Sequence, residues 1–194
     1  MRLLCCADFH NAVNLNNFTE LAKEYEPDAL VTLGDISVQD LRIIKHTADA
    51  LGISAIGVCG NHDEVDSLVK AGIEDLHGKA TTIDGVTFAG IGGSLRYKVS
   101  GNMFLSQKES IEIAKALPPK ADVLITHDQA YRKFFVDTKS EYAKDPHEGL
   151  AGIRDYLKKS RPEYHLYGHL HMPHTEKEWH TTGVCIYGIG LVDI

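Results

Sequence analysis

The run "DALVTLGD", residues 28–35, is apolar almost throughout and stops abruptly at a glycine and an aspartate. A strand of that kind is covered on both faces. Similar short apolar runs recur along the chain, alternating with helix-like segments, and this alternation restricts the fold to α/β layering. Strands are predicted at Arg2–Ala7, Ala29–Leu33, Ser54–Val58, Val86–Gly90, Val123–Thr126, His165–Tyr167 and Gly183–Tyr187. Helices are predicted at Asn14–Tyr25, Val38–Leu51, Glu64–Ala71, Ser106–Leu117 and Glu148–Lys159. Prolines in "PDAL", "PPKADVL" and "RPEYHLY" separate three of the strands from the preceding helix. No repeat, low-complexity tract or polar linker divides the chain, so one domain over residues 1–194 is expected.

Hydrophobic residues make up 43% and charged residues 24%, the proportions of an ordinary globular protein. The net charge of -7 weighs against a nonspecific nucleic-acid binder, which needs basic surface to displace counterions. No apolar run approaches the roughly 18 residues of a membrane span. The opening "MRLLCCADFHN" breaks into Asp8 and His10 too early for a signal peptide, so a cytoplasmic setting is expected. The four cysteines fit it. Cys5 and Cys6 are strand neighbours whose side chains point to opposite faces, and neither Cys59 nor Cys185 completes a CxxC spacing. All four are read as small buried residues in a reducing compartment.

Functional residues of open α/β sheets gather at the carboxyl ends of strands. Here those ends are unusually uniform. The first carries Asp8 and His10, the second Gly34-Asp35, and the third Gly60-Asn61-His62-Asp63. Later ones carry His127-Asp128 and Gly168-His169-Leu170-His171. Asp8, His10, Asp35, Asn61, His127, His169 and His171 are candidate metal ligands, all nitrogen or oxygen donors. Such a set suits Mn, Fe, Zn or Ni rather than a structural zinc knuckle. Seven ligands exceed one tetrahedral site but suit two ions about 3.5–4 Å apart, with one carboxylate bridging. Each residue alone has an ordinary explanation as a turn, a cap or a satisfied polar group. Their joint placement does not.

Taken in order, "DFH" at 8–10, "GD" at 34–35, "GNHD" at 60–63, His127 and "GHLH" at 168–171 resemble the five motifs of the calcineurin-like metallophosphoesterases. The resemblance implies a four-layer α/β/β/α sandwich of two mixed β-sheets flanked by helices. It also implies a hydrolase with a binuclear metal centre, manganese being preferred. Asp8, His10 and His171 would hold one ion, Asn61, His127 and His169 the other, and Asp35 would bridge them. His62 matches the family's catalytic histidine, which is not a ligand. The implied reaction is attack on a phosphate ester by a metal-activated hydroxide, with His62 as general acid to the departing oxygen. Asp63 is a candidate for positioning His62.

Departures from the better-characterised branches narrow the substrate. The chain has "GDISVQD" where protein Ser/Thr phosphatases have "GDxVDRG", which weakens a phosphoprotein substrate. Val38 stands where purple acid phosphatases carry an iron-binding tyrosine. The expected partner is a small phosphate ester, more readily a diester. A phosphomonoesterase, a nuclease, and a protein-binding scaffold like the family member in the retromer complex are the alternatives, and homo-oligomerisation is left open. A scaffold tolerates degraded ligands, and here the set is complete.

The segment from Asp128 to Tyr167 holds eight Lys/Arg and seven Asp/Glu, a net +1 that leaves -8 for the rest of the chain. It is read as substrate-facing, with Tyr131, Phe134, Phe135 and Tyr142 packing the loop. Within its "HEGL", Glu148 is read as a helix-start residue and His147 as an open candidate for touching substrate. His46, His77, His165 and His180 are read as ordinary polar residues, and His174 as either a site neighbour or part of a surface turn.

Overall fold

The computed structural model describes residues 1–9, 15–133 and 142–194. In chain order its first half runs β1 (Arg2–Ala7), α1 (Leu15–Tyr25), β2 (Ala29–Thr32), α2 (Val38–Leu51), β3 (Ser54–Gly57), α3 (Ser67–Ala71), β4 (Glu74–Asp75), β5 (Ala80–Ile83) and β6 (Val86–Ile91). A short ribbon, β7 (Ser94–Leu95) and β8 (Phe104–Leu105), leads into α4 (Gln107–Ala116) and β9 (Val123–Thr126). Then come α5 (Ala151–Ser160), β10 (Tyr164–Tyr167), β11 (His174–Glu178), β12 (Thr181–Cys185) and β13 (Gly188–Asp193).

The larger strands form two mixed sheets, ordered β13-β1-β2-β3-β4 and β11-β12-β10-β9-β6-β5. Within the first, β1 to β4 are parallel and β13 joins antiparallel at the edge. Within the second, β6, β9, β10 and β12 are parallel, with β5 and β11 antiparallel outside them. Side-chain alternation along β1 shows how the layers form. Leu3, Cys5 and Ala7 join Val31, Phe88, Ile125 and Leu166 in a core between the sheets. Leu4 and Cys6 point the other way, onto Phe18, Leu41 and Ile44 of α1 and α2. A third cluster packs Ile153 and Leu157 of α5 and Ala114 of α4 on the far side of the second sheet, against Ala89 and Leu124. The result is the expected α/β/β/α sandwich, with Cys5 and Cys6 on opposite faces.

Local signals set the helix ends. Ser37 caps α2 by accepting from the Asp40 backbone N–H at 3.2 Å, and Gly52 closes it in the left-handed region at φ 70°. Ser106 and Glu109 form a reciprocal capping box at the start of α4. Two helices begin later than the sequence predicts. Residues 64–66 form a turn before α3, and Glu148 lies in a turn ahead of α5, whose N-cap is Leu150. Glu148 is therefore not the helix-start residue; its carboxylate pairs with Lys133 instead. β12 starts two residues before the predicted strand, and β5, β11 and β13 are edge strands that the apolar pattern does not reveal. Among the described residues, no helix is long and apolar enough to cross a membrane.

All four cysteines are free and buried. Burial pushes the Cys5 and Cys185 thiols up to about 12 and Cys59 up to about 11, and carries Cys6 well above the usual range. Thiolate is the reactive form, so the native protein presents almost none at neutral pH. The expected result with an aromatic disulfide reagent at pH 8 is slow or undetectable labelling of native protein and four equivalents after denaturation. Rapid stoichiometric labelling of native protein would contradict this packing.

Candidate metal centre

Five parallel strands of the two sheets, β1, β2, β3, β9 and β10, deliver their carboxyl ends to one edge of the sandwich. Backbone hydrogen bonds stitch those ends together. Asp8 N–H donates to the Gly34 carbonyl at 3.0 Å, and Phe9 N–H to the Asp35 carbonyl at 3.1 Å. Gly168 N–H donates to the His127 carbonyl at 3.0 Å. Across the gap between sheets, the His169 N–H donates to Asp8 Oδ2 at 2.8 Å, and His127 Nδ1 meets the Leu33 carbonyl at 2.8 Å.

Glycine is required where these loops touch. Gly34 sits at φ 94°, and a Cβ there would fall 2.4 Å from the Gly60 nitrogen. A Cβ on Gly60 would fall 2.2 Å from Asp35 Oδ1 and 2.7 Å from His127 Cε1. The same construction on Gly168 meets Asp8 Oδ2 at 2.7 Å. Each motif glycine thus keeps clear the space beside a candidate ligand. Gly60→Ala is expected to cost about 1–3 kcal/mol, the usual range for overpacking. At about 2–4 °C per kcal/mol in a chain of this size, thermal unfolding would register it. An unchanged melting temperature would show that the loops can part freely.

Asp8, Asp35, His169 and His171 hold left-handed backbone angles, at φ 54°, 57°, 66° and 52°. Each such non-glycine conformation costs on the order of 1–3 kcal/mol and persists only where surrounding contacts enforce it. Its concentration at the strand ends turns these side chains into a common space. One potential ligand atom from each of Asp8, Asp35 and His127 lies within 4.8 Å of the others, and all three residues are buried. His127 Nε2 is 3.0 Å from Asn61 Oδ1 and 3.6 Å from Asp35 Oδ2. The His127 and His169 ring centroids are 4.9 Å apart. His171 Nε2 stands 3.5 Å from Asp8 Oδ1, its ring stacked on Tyr187 at 5.2 Å.

Protonation follows from these contacts. Burial pulls the His127 and His169 imidazoles down to about 4, so both are neutral at physiological pH. The Leu33 carbonyl can only accept, so the single proton of neutral His127 lies on Nδ1. The Nε2 lone pair then faces the Asp35 carboxylate and the Asn61 side chain. Asn61 Nδ2 is buried with no hydrogen-bond partner among the described residues. Turning the amide over would pair Nδ2 with His127 and leave the oxygen in its place. Burial, followed by the Asp35 charge, pushes Asp8 up to about 8. Converging lone pairs and raised carboxyl pKa values are costly in a bare site and are relieved by cations. The donor set therefore fits divalent metal, with a backbone carbonyl orienting His127 as outer-sphere groups do at metal sites.

Of the predicted site residues, Asp8, Asp35, Asn61, His127, His169 and His171 come together at this edge. His10 lies outside the described residues, as do Phe134 and Phe135. His62 is exposed, next in sequence to buried Asn61, and its backbone N–H donates to Asp35 Oδ1 at 2.9 Å.

Asp63 does something different from the expected positioning of His62. Its carboxylate accepts from the backbone N–H groups of Asp35, Ile36 and Gly60 at 2.8, 3.0 and 2.7 Å, clamping two ligand loops. Asp128 is a second clamp, accepting from Leu95 and Gln129 N–H at 2.9 and 2.8 Å. Burial raises both acids to about 6. Their adjacency to motif residues was the only sequence signal.

His147 reaches the site, with its ring centroid 5.0 Å from that of His169. His165 is a satisfied core residue between Thr126 Oγ1 at 2.8 Å and Glu178 Oε2 at 2.6 Å. His174 opens β11 rather than a turn, 3.2 Å from the Tyr167 hydroxyl.

Comparison with known proteins agrees with this architecture. A UPF0046 protein of Caenorhabditis elegans is 28% identical over 207 aligned positions, covering 90% of this chain. The chain spans 64% of that relative's length. The protein TT1561 of Thermus thermophilus superposes with a TM-score of 0.66 at 15% identity, over 96% of this chain and 89% of that one. A structure described as a novel archaeal phosphodiesterase superposes with a TM-score of 0.57 at 14% identity, over 100% and 93% of the two chains. At such identities these two likenesses establish the fold. The profile of the calcineurin-like phosphoesterase superfamily domain matches residues 1–187, and the chain belongs to that superfamily.

Proposed function

We propose that this chain is a binuclear-metal-dependent phosphoesterase, a hydrolase acting chiefly on phosphodiesters, working in the cytoplasm as one domain over residues 1–194. One observation carries the reading: the His127 lone pair, the Asp35 carboxylate and the Asn61 side chain converge in a buried site. Asp8, His10 and His171 are assigned to one ion and Asn61, His127 and His169 to the other, with Asp35 bridging. The oxygen and imidazole donors, with no thiolate, suit Mn, Fe, Zn or Ni, and manganese is preferred on the family resemblance. Bound there, two divalent ions supply a nucleophile near neutral pH and offset the charge of the phosphate.

The chain's own residues do the rest. His127 stays neutral and its ring is fixed by Leu33, so its lone pair faces inward without reorientation. Asp63 fixes the backbone of Asp35 and Gly60, and with it the spacing of the two ligand groups. His62, exposed while Asn61 beside it stays buried, is the residue we assign to hand a proton to the departing ester oxygen. The diester preference draws support from the fold likeness to the archaeal phosphodiesterase and from the departures at "GDISVQD" and Val38.

The test is a panel of manganese-loaded protein against bis-p-nitrophenyl phosphate, p-nitrophenyl phosphate, cyclic nucleotides and single-stranded DNA. Metal-dependent hydrolysis that is fastest on the diester and abolished by a chelator is expected. Protein shown to hold two ions per chain yet inert toward every ester would defeat the proposal.

A further inference from the structure

A cavity of about 290 Å³ opens beside the metal-ligand loops, and none of the described ligands, nor His62, lines it. Its position is fixed by two connections. Glu148 on its wall directly follows His147, whose ring packs 5.0 Å from that of His169. Leu95 on its wall is held through its N–H by Asp128, the residue after His127. A group bound there is therefore a neighbour of whatever sits on the ligand loops. The volume lies at the lower end for ligand pockets, the size of part of a ligand rather than a whole one.

The described part of the wall has a charge opposite to that of the molecule. Across the chain, 27 acidic side chains outnumber 20 Lys and Arg. Among the described residues around this cavity, Arg96, Lys133 and Lys144 stand against a single acid, Glu148. Lys133 pairs with Glu148, leaving Arg96 and Lys144 as the excess among the described lining residues. Arg96 is steadied by the Phe104 carbonyl at 3.3 Å and only distantly by Glu109 at 3.8 Å. Tyr131, buried, and Tyr142, half-buried, add aromatic surface. A recess with two excess cations and two tyrosines suits a planar group carrying negative charge.

We propose that this cavity receives the organic arm of the ester and selects arms bearing an anionic group, a carboxylate or a second phosphate. The inference rests on the phosphoesterase reading for its orientation: the scissile phosphate lies on the ligand loops and the arm extends past His147 toward Arg96 and Lys144. His147 is then a residue along the arm's path, which gives the "HEGL" stretch a role that its place ahead of α5 does not.

The experiment compares manganese-loaded wild type, Lys144→Gln and Arg96→Gln on three methyl aryl phosphates, in which the aryl group is 4-nitrophenyl, 3-carboxy-4-nitrophenyl or 3-phosphono-4-nitrophenyl. The readout is the ratio of kcat/KM for a charged ester to that for the parent. Intrinsic reactivity cancels when proteins are compared on the same pair. Each substitution is expected to lower the ratio about tenfold, whereas Lys120→Gln, on the exposed approach to β9, should not. The carboxy and phosphono esters together report which anion is preferred. Ratios that stay at the wild-type value in both pocket variants would overturn the proposal.

Protein that cleaves none of the three would count against the phosphoesterase reading itself. Calorimetric binding of phenylphosphonate and 3-carboxyphenylphosphonate then decides the pocket separately. Tighter binding of the carboxylated probe that Lys144→Gln removes would uphold it, and equal binding would end it.

Discussion

Asp35→Asn is expected to abolish hydrolysis while leaving the metal-free protein folded and somewhat more stable. The two halves of this prediction have different causes. Asp35 is the residue assigned to both ions, so its neutral isostere should loosen both. Losing the several kcal/mol of charge stabilisation that divalent ions provide corresponds to about a 10³-fold fall in rate, at ~1.4 kcal/mol per tenfold. Without metal the balance reverses. The Asp35 charge is one of the causes that raise the Asp8 pKa to about 8, and its Oδ2 faces the His127 lone pair at 3.6 Å. An asparagine relieves the repulsion with Asp8, can donate to His127, and still accepts the His62 N–H through its oxygen. A gain of about 1 kcal/mol would raise the metal-free melting temperature by about 2–4 °C. His10→Ala, by contrast, should weaken one ion more than the other. Metal content, melting temperature with and without manganese, and diester hydrolysis together check the set. Asp35→Asn protein that retains two ions and most of its activity would remove Asp35 from the bridging role.

The layering, and the strand ends at which most of the candidate ligands meet, were readable in the sequence for a definite physical reason. Strands β1, β2, β3, β9 and β10 are covered on both faces, so their own composition is apolar, and each ends where the chain changes character at a glycine, aspartate or histidine. Edge strands lack that signature. β11 reads "HTEKE" and β13 reads "GIGLVD", and both exist because a neighbouring strand offers them a hydrogen-bond ladder, β12 in one case and β1 in the other. Nothing in their own residues encodes the partner.

Asp63 and Asp128 were hidden for a related reason. An acid becomes a clamp largely through backbone N–H groups far along the chain, 28 residues from Asp63 and 33 from Asp128, and those distances close only on folding. His165 was legible only as an ordinary polar residue, and Glu178, the acid that satisfies it in the core, lies in a strand the pattern did not show. His147 sat between two readings until the fold set it against His169.

His62→Ala separates catalysis from metal binding, because this residue touches the site without being assigned to either ion. Its backbone N–H anchors Asp35 Oδ1 and survives any side-chain replacement, so both ions should remain. The side chain is exposed while that of neighbouring Asn61 is buried, and we assign it to the departing oxygen. A general acid contributes typically about 10²–10⁴-fold, and its worth depends on how badly the leaving group needs a proton. Alkyl phosphodiesters, which expel a strongly basic alkoxide, should lose close to that full factor in His62→Ala and in His62→Asn. Nitrophenyl esters, whose leaving group departs as a stable anion, should lose far less. Steady-state kcat on both ester types, measured on protein whose metal content has been confirmed, gives the answer directly. An equal loss on the two esters would assign His62 to binding the phosphate rather than to proton transfer. A loss that tracks missing metal would instead place it in the support of Asn61 and Asp35.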